Sequence, residues 1–249
     1  MPKSIDEIIS LLEQTVKEAE YSGKRYGYFA SLYLEMTRSV KKAIHNNAFN
    51  DNQRMERLCI VFAMRYLDAL SLWKSGKRPT NAWYLAFEQT KLSSMSVIQH
   101  ILCGINAHIN LDLSIAAAQT CPGPHIHALK GDFEMINTVI ASLVDKMQGK
   151  LEKISLPMRW LDRIGKNYDE KIANFSIGMA RDASWIAALK LANMTESEQK
   201  NFIILLDQTT SSLARLIIKP GFIANLILKP VIWFEPKDPK TVIKLLNTP

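Results

Sequence analysis

His108 and Asp112 stand four residues apart in the stretch Val97–Ala118, V-I-Q-H-I-L-C-G-I-N-A-H-I-N-L-D-L-S-I-A-A-A. On a helix that spacing puts both on one face. An imidazole and a carboxylate so placed can satisfy each other as buried groups, or form a base held in orientation by its acid. They can also supply two ligands to a divalent metal cofactor such as Zn²⁺, Fe²⁺ or Mn²⁺. A metal needs a third donor, and the sequence offers His100, His125, His127, Asp68, Asp132 and Glu134. No H-E-x-x-H, C-x-x-C or paired E-x-x-H motif accompanies them.

The same stretch carries a second polar stripe. At about 100° per residue, Gln99, Asn106 and Asn110 fall together on the side opposite His108 and Asp112. A buried polar side chain without a partner costs roughly 1–3 kcal/mol, so a core helix this polar must be paired with other groups. Elsewhere, Arg65 and Asp68 interrupt the apolar run Arg57–Trp73 at i, i+3. They read as an ion pair, or as a site where Arg65 takes an anionic substrate group. Arg181-Asp182 beside Trp185 repeats that arrangement, and Asp132 and Asn137 are further candidates for substrate contact. The candidate catalytic set is therefore His108, Asp112, Arg65 and Asp68, and the candidate substrate-binding set is Asn137, Asp132, Arg181 and Trp185. Cys103 reads as an inert core thiol, and Trp73, Trp83, Trp160 and Trp185 read as core.

These residues need helices to position them, and helical periodicity runs the length of the chain. Ser4 and Glu7 predict a capping box for a first helix that ends near Ser22-Gly23. A second helix is expected over about 24–44, and a third over about 52–75 after an N-cap at Asn50-Asp51. Thr80 or Asn81 caps a short helix that precedes the central one. Q-T-C-P-G-P-H-I-H-A-L-K-G reads as a loop, followed by a helix over about 132–150. Breaks are expected at Ser155–Pro157 and near Gly165–Asn167, with a short segment holding Trp160 and Leu161 between them. Helices over about 169–193 and from the Thr195/Glu198 box to Ile218 come next, then a tail with Lys-Pro breaks and a last helix after Asp238-Pro239. No hairpin or βαβ pattern appears. The expectation is an all-α, single-domain bundle of about nine to eleven helices around a central polar-studded helix, spanning 1–249, with 220–249 as a strap.

Composition narrows the function classes. The chain of 249 residues carries 31 Lys and Arg against 24 Asp and Glu, a moderate basic bias of +7 with no block of five basic residues. No nucleic-acid motif is present, so nucleic acid is not an expected partner. Three irregularly spaced cysteines suit a reducing compartment. The N-terminus has no signal-peptide pattern, and no run of eighteen uncharged apolar residues occurs, so a cytoplasmic location is expected. In the tail, Lys219, Lys229, Lys237, Lys240 and Lys244 alternate with Phe222, Leu226, Trp233 and Phe234. That pattern suits a cover over the bundle or a contact with a membrane surface.

F-A-M-R-Y-L-D-A-L at Phe62–Leu70 and G-I-N-A-H-I-N-L-D-L at Gly104–Leu113 resemble the motifs of a bacterial all-helical family of unknown function. Y-F-A-S-L-Y-L-E-M-T at Tyr28–Thr37, W-Y-L-A-F at Trp83–Phe87, D-F-E-M-I-N at Asp132–Asn137 and A-R-D-A-S-W at Ala180–Trp185 are similar to it too. The resemblance implies a helical fold and brings no reaction with it. From the residues, the expected function is an enzyme acting on a small molecule through a buried His/Asp/Arg pocket, as a metal-assisted hydrolase or lyase. The alternatives are a non-catalytic binding protein for a small apolar or amphipathic ligand, and a membrane-surface protein using its tail.

Overall fold

The computed structural model describes residues 2–154 and 177–248. Ser155–Pro157, Trp160, Leu161, the Gly165–Asn167 break and the start of the helix expected from Asp169 lie outside the described residues. Among those described, the chain is all-α, with eleven α-helices, a π-helical turn and a 3₁₀ helix, and without a strand. The helices are α1 (Ile5–Ser22), α2 (Gly27–His45), α3 (Asn52–Lys74), α4 (Asn81–Gln89), α5 (Val97–Ala107) and α6 (Leu113–Thr120). They continue with α7 (Lys130–Ile154), α8 (Ile177–Ala192), α9 (Glu196–Ile218), α10 (Phe222–Phe234) and α11 (Pro239–Asn247).

The rod 97–120 is the axis of the bundle. Length and composition would let it cross a membrane, yet 83% of its most apolar window is buried inside the fold. Its α5 portion opens on the Ser96/Gln99 capping box, and α2, α4 and α9 pack against it. Its α6 portion lies against α3 and α8. Between them, His108–Asp112 form a π turn in which the Leu113 N–H bonds back to the His108 carbonyl. Such one-turn widenings mark functional positions more often than ordinary helix does.

Several helix starts are capped from a distance. The Asp207 carboxylate on α9 accepts from the Asn81 and Ala82 N–H groups at 2.8 Å each, so the start of α4 is held by α9 and not by the Thr80 hydroxyl. Glu235 accepts from the Val97 N–H at 2.9 Å, and burial pushes its carboxyl up to about 7. Asp132 accepts from the Asn50 and Asp51 N–H groups and from Arg54, tying the start of α7 to that of α3. Each carboxyl group lies where backbone donors have no intrahelical acceptor. The Ser4, Asp51 and Thr195 caps are present and the last helix starts at Asp238-Pro239 as expected, but the Ser4/Glu7 box is half formed, since the Glu7 carboxylate accepts from the Lys3 N–H.

Two expected breaks are helical. Gly123–Leu129, read as a loop, is a 3₁₀ helix, because Ile126 and Leu129 at i, i+3 both turn into the core. Lys229-Pro230 does not interrupt α10, which runs through it. A proline there removes one backbone hydrogen bond, and the apolar face with Leu228 and Val231 still docks inward.

Gly104 sets the closest approach in the core. A Cβ built there would lie 2.5 Å from the Phe29 ring, and Phe29 in turn touches Tyr33, Tyr66, Trp83 and His108. Gly104→Ala adds roughly 1 kcal/mol of helix propensity but forces an aromatic cluster to move, at about 1–3 kcal/mol. The variant is expected to melt below wild type. Equal or higher thermal stability would show that the Phe29 contact is not tight.

Candidate functional site

The site is built on one carboxylate. Asp112 is 1% exposed, at the end of the π turn. Its Oδ1 accepts from Arg65 Nε of α3 at 2.9 Å, and its Oδ2 accepts from Trp83 Nε1 of α4 at 2.7 Å. His108 Nδ1 lies 3.2 Å from the same Oδ2. Two fixed donors, a guanidinium on one oxygen and an indole on the other, make both oxygens of Asp112 acceptors.

That carboxylate settles the state of His108. Burial lowers the pKa of the imidazole, and this outweighs the opposing pull of Asp112. A neutral ring carries one proton, and the ionised oxygen beside Nδ1 places it there. Nε2 is then the bare lone pair. It is buried and has no hydrogen-bond partner.

Aromatic rings fix the imidazole plane. Phe62 stacks on it at 3.6 Å between centroids and 7° between planes, and Tyr33 meets it edge-on at 4.4 Å. Phe29 and Trp83 approach at 5.8 and 6.0 Å. The sequence reading did not single out Phe62 and Tyr33, and it placed Trp83 only in the core. A buried indole N–H needs an acceptor, and that requirement is the signal that would have tied Trp83 to Asp112.

His108 lines a pocket of about 330 Å³ between α2, α3, α5, α7 and α8. Its wall is almost wholly apolar, with Met36, Leu58, Ile101, Ile105 and Ile136 among the contributors. The Tyr33 phenol and Cys59 thiol also line it. Burial raises both, Cys59 to about 12, so each keeps its proton near neutral pH. Among the described residues the one charged side chain on the wall is Arg181 of α8. It is 3% exposed, donates from Nε to Asn137 Oδ1 at 2.6 Å and from Nη2 to the Phe133 carbonyl, and lies over the Phe133 ring. Burial lowers its pKa to about 10, which leaves it a cation.

The sequence-derived candidates therefore separate. His108 and Asp112 form the dyad, but Arg65 fastens Asp112 and does not line the pocket. The expected Arg65–Asp68 pair does not form. Asp68 is exposed, near Gln14 and Lys74, because the rotation of about 60° between i and i+3 is enough to turn it outward while Arg65 reaches Asp112. Asp132 belongs to the α3–α7 junction described above, and Trp185 packs on Phe133 at 4.9 Å outside the pocket wall. Asn137 acts on the pocket only through Arg181. The amide stripe takes the other side of the rod as expected: Gln99 and Asn106 donate to the Ile217 and Thr210 carbonyls of α9, and Asn110 donates to Asn106.

The donor set does not fit a metal ion. Both Asp112 oxygens are engaged, His125 and His127 are exposed, and His100 sits against Tyr28. Among the described residues no group of three His, Cys, Asp or Glu side chains converges.

The chain belongs to DUF5995, a family of unknown function, whose sequence model matches residues 5–220. No curated protein and no solved structure matches it. The helices α10 and α11 lie beyond the matched segment.

Asp112→Asn keeps the shape and turns an amide N–H toward at least one of the three donors. It is expected to cost on the order of 2–4 kcal/mol in urea unfolding. A loss under about 0.5 kcal/mol, the range of ordinary surface substitutions, would show that the charge is not what fastens α3 and α4 to the rod.

Proposed function

We propose that this protein houses a small, largely apolar molecule in the 330 Å³ pocket, oriented by a hydrogen bond from the ligand to His108 Nε2. One observation carries the reading: a buried lone pair without a partner, on an imidazole whose other nitrogen is already tied to Asp112. An unpaired buried acceptor costs roughly 1–3 kcal/mol, and a ligand O–H or N–H on that lone pair removes the cost. The apolar wall contributes the rest, at about 25 cal/mol per Å² covered. The volume falls in the usual range for ligand pockets, about 300–1,000 Å³.

The dyad also supports acid–base chemistry on the bound molecule. Nε2 takes a proton from the ligand, and the resulting imidazolium is held by the Asp112 carboxylate. With Cys59 and Tyr33 both protonated, this is base catalysis without a covalent nucleophile.

A matched pair of ligands tests the reading. By NMR titration, 4-pentylphenol is expected to bind at least about tenfold more tightly than pentylbenzene, which lacks the donor. His108→Phe should erase that preference while leaving pentylbenzene affinity in place. Absence of binding by either compound, or a preference that survives the substitution, would refute it.

A second reading concerns α10, and its outer face favours it. Phe222, Leu226 and Trp233 are 84%, 58% and 75% exposed and lie on one side of the helix with Lys229, while Leu228 and Val231 turn inward. An exposed apolar stripe with cations beside it suits the surface of an anionic membrane, from which an apolar ligand would be drawn. Co-sedimentation with vesicles containing phosphatidylserine is expected for the whole chain and is expected to fall in Phe222→Ser/Trp233→Ser. Equal sedimentation of both proteins would remove α10 from that role.

A further inference from the structure

We infer that the ligand is an amphipathic carboxylate whose headgroup is held by Arg181 while a separate O–H or N–H of the same molecule meets His108, an assignment that rests on the pocket reading above. Arg181 is a cation on an apolar wall, with 3% of its surface exposed. Buried charges in proteins are paired or coordinated, because an uncompensated ion is strongly penalised in an apolar setting. No carboxylate of the described residues lies within ion-pair distance of it. Asp112, the acid nearest the chemistry, is taken by Arg65, and Asp132 is taken by Arg54.

What Arg181 does have are two neutral acceptors. The Asn137 amide oxygen and the Phe133 carbonyl occupy Nε and Nη2 and fix the plane of the guanidinium, while Nη1 has no partner among the described residues. The Phe133 ring stacks on the group from one side at 4.4 Å. The result is an oriented cation with a free donor edge, whose one carboxylate neighbour among the described residues, the exposed Asp182, acts on it through space without an ion-pair contact. That is the complement of a single carboxylate, which arginine binds in a planar geometry. One cation matches a monoanion. A phosphate dianion would ask for a second charge, which the described residues of the pocket wall do not supply.

The hydrocarbon part follows from size and polarity. At roughly 30 Å³ per heavy atom, a pocket of 330 Å³ holds on the order of ten to twelve of them. The wall beyond Arg181 is built from isoleucine, leucine, methionine and phenylalanine. A medium-chain carboxylate fits both conditions.

Decanoate and decanol share a chain and differ in the headgroup, so their affinities for the full chain, by calorimetry or NMR titration, test the assignment. Wild type is expected to prefer decanoate by about tenfold or more. Arg181→Gln should weaken decanoate to the level of decanol and leave decanol unchanged, whereas Arg181→Lys, which keeps the charge and loses the fork, should retain part of the preference. Circular dichroism shows whether each variant is folded. If Arg181→Gln is not, the wild-type comparison and Arg181→Lys decide the matter. Equal wild-type affinities, or an undiminished preference in Arg181→Gln, overturns the headgroup assignment alone. Binding of neither compound overturns the pocket reading and this inference together.

Discussion

A single buried negative charge organises this protein. Asp112 sits in the π turn of the central rod, and the groups that meet its oxygens come from three places: the cation of Arg65 on α3, the indole of Trp83 on α4 and His108 on the rod itself. Stripping water from a carboxylate costs several kcal/mol, and only good hydrogen-bond geometry offsets that cost. Each contact here lies between 2.7 and 3.2 Å. The carboxylate therefore pins two peripheral helices to the axis, and the π turn brings His108 and Asp112 into register.

The consequence for chemistry is a polarised sandwich. The imidazole is bonded to a fixed carboxylate and lines an apolar hollow. The ring is clamped by Phe62 and Tyr33 and kept neutral by burial. The fold thus sets a neutral imidazole in the wall of a pocket that otherwise offers little but hydrocarbon. Across the pocket, Arg181 presents the opposite property, a cation stacked on Phe133. A ligand that suits both walls must be apolar along most of its length and polar at defined points.

Much of the architecture was legible in the sequence, because the periodicity of apolar residues and the local caps are properties of neighbours. The all-α class, the caps at Ser4, Asp51 and Thr195, the start of the last helix at Asp238-Pro239, and the two opposed polar stripes on the rod could all be read that way. What could not be read depends on partners far away in the chain. Asp207 caps α4 from 126 positions on in the sequence, and nothing near Thr80 announces it. Arg65 and Asp68 look like a pair on paper, yet the turn of the helix that sends Arg65 toward Asp112 sends Asp68 outward. The histidine and its acid were visible from their spacing, whereas the ring stack of Phe62 and the indole of Trp83 were not, since aromatic residues in an apolar run carry no sign of which neighbour they will meet. Pro230 misled for a related reason: the break it suggests is local, and the packing that overrides it is tertiary.

The account stands on the protonation state of one ring. Nitrogen-15 NMR of histidine-labelled protein at neutral pH reads that state directly, with His108→Phe identifying the signal. The structure predicts a neutral imidazole for His108, protonated at Nδ1 and bare at Nε2. A doubly protonated ring, or a proton on Nε2 with Nδ1 bare, would contradict it, because in either case Nε2 would have no lone pair to accept a ligand's hydrogen bond.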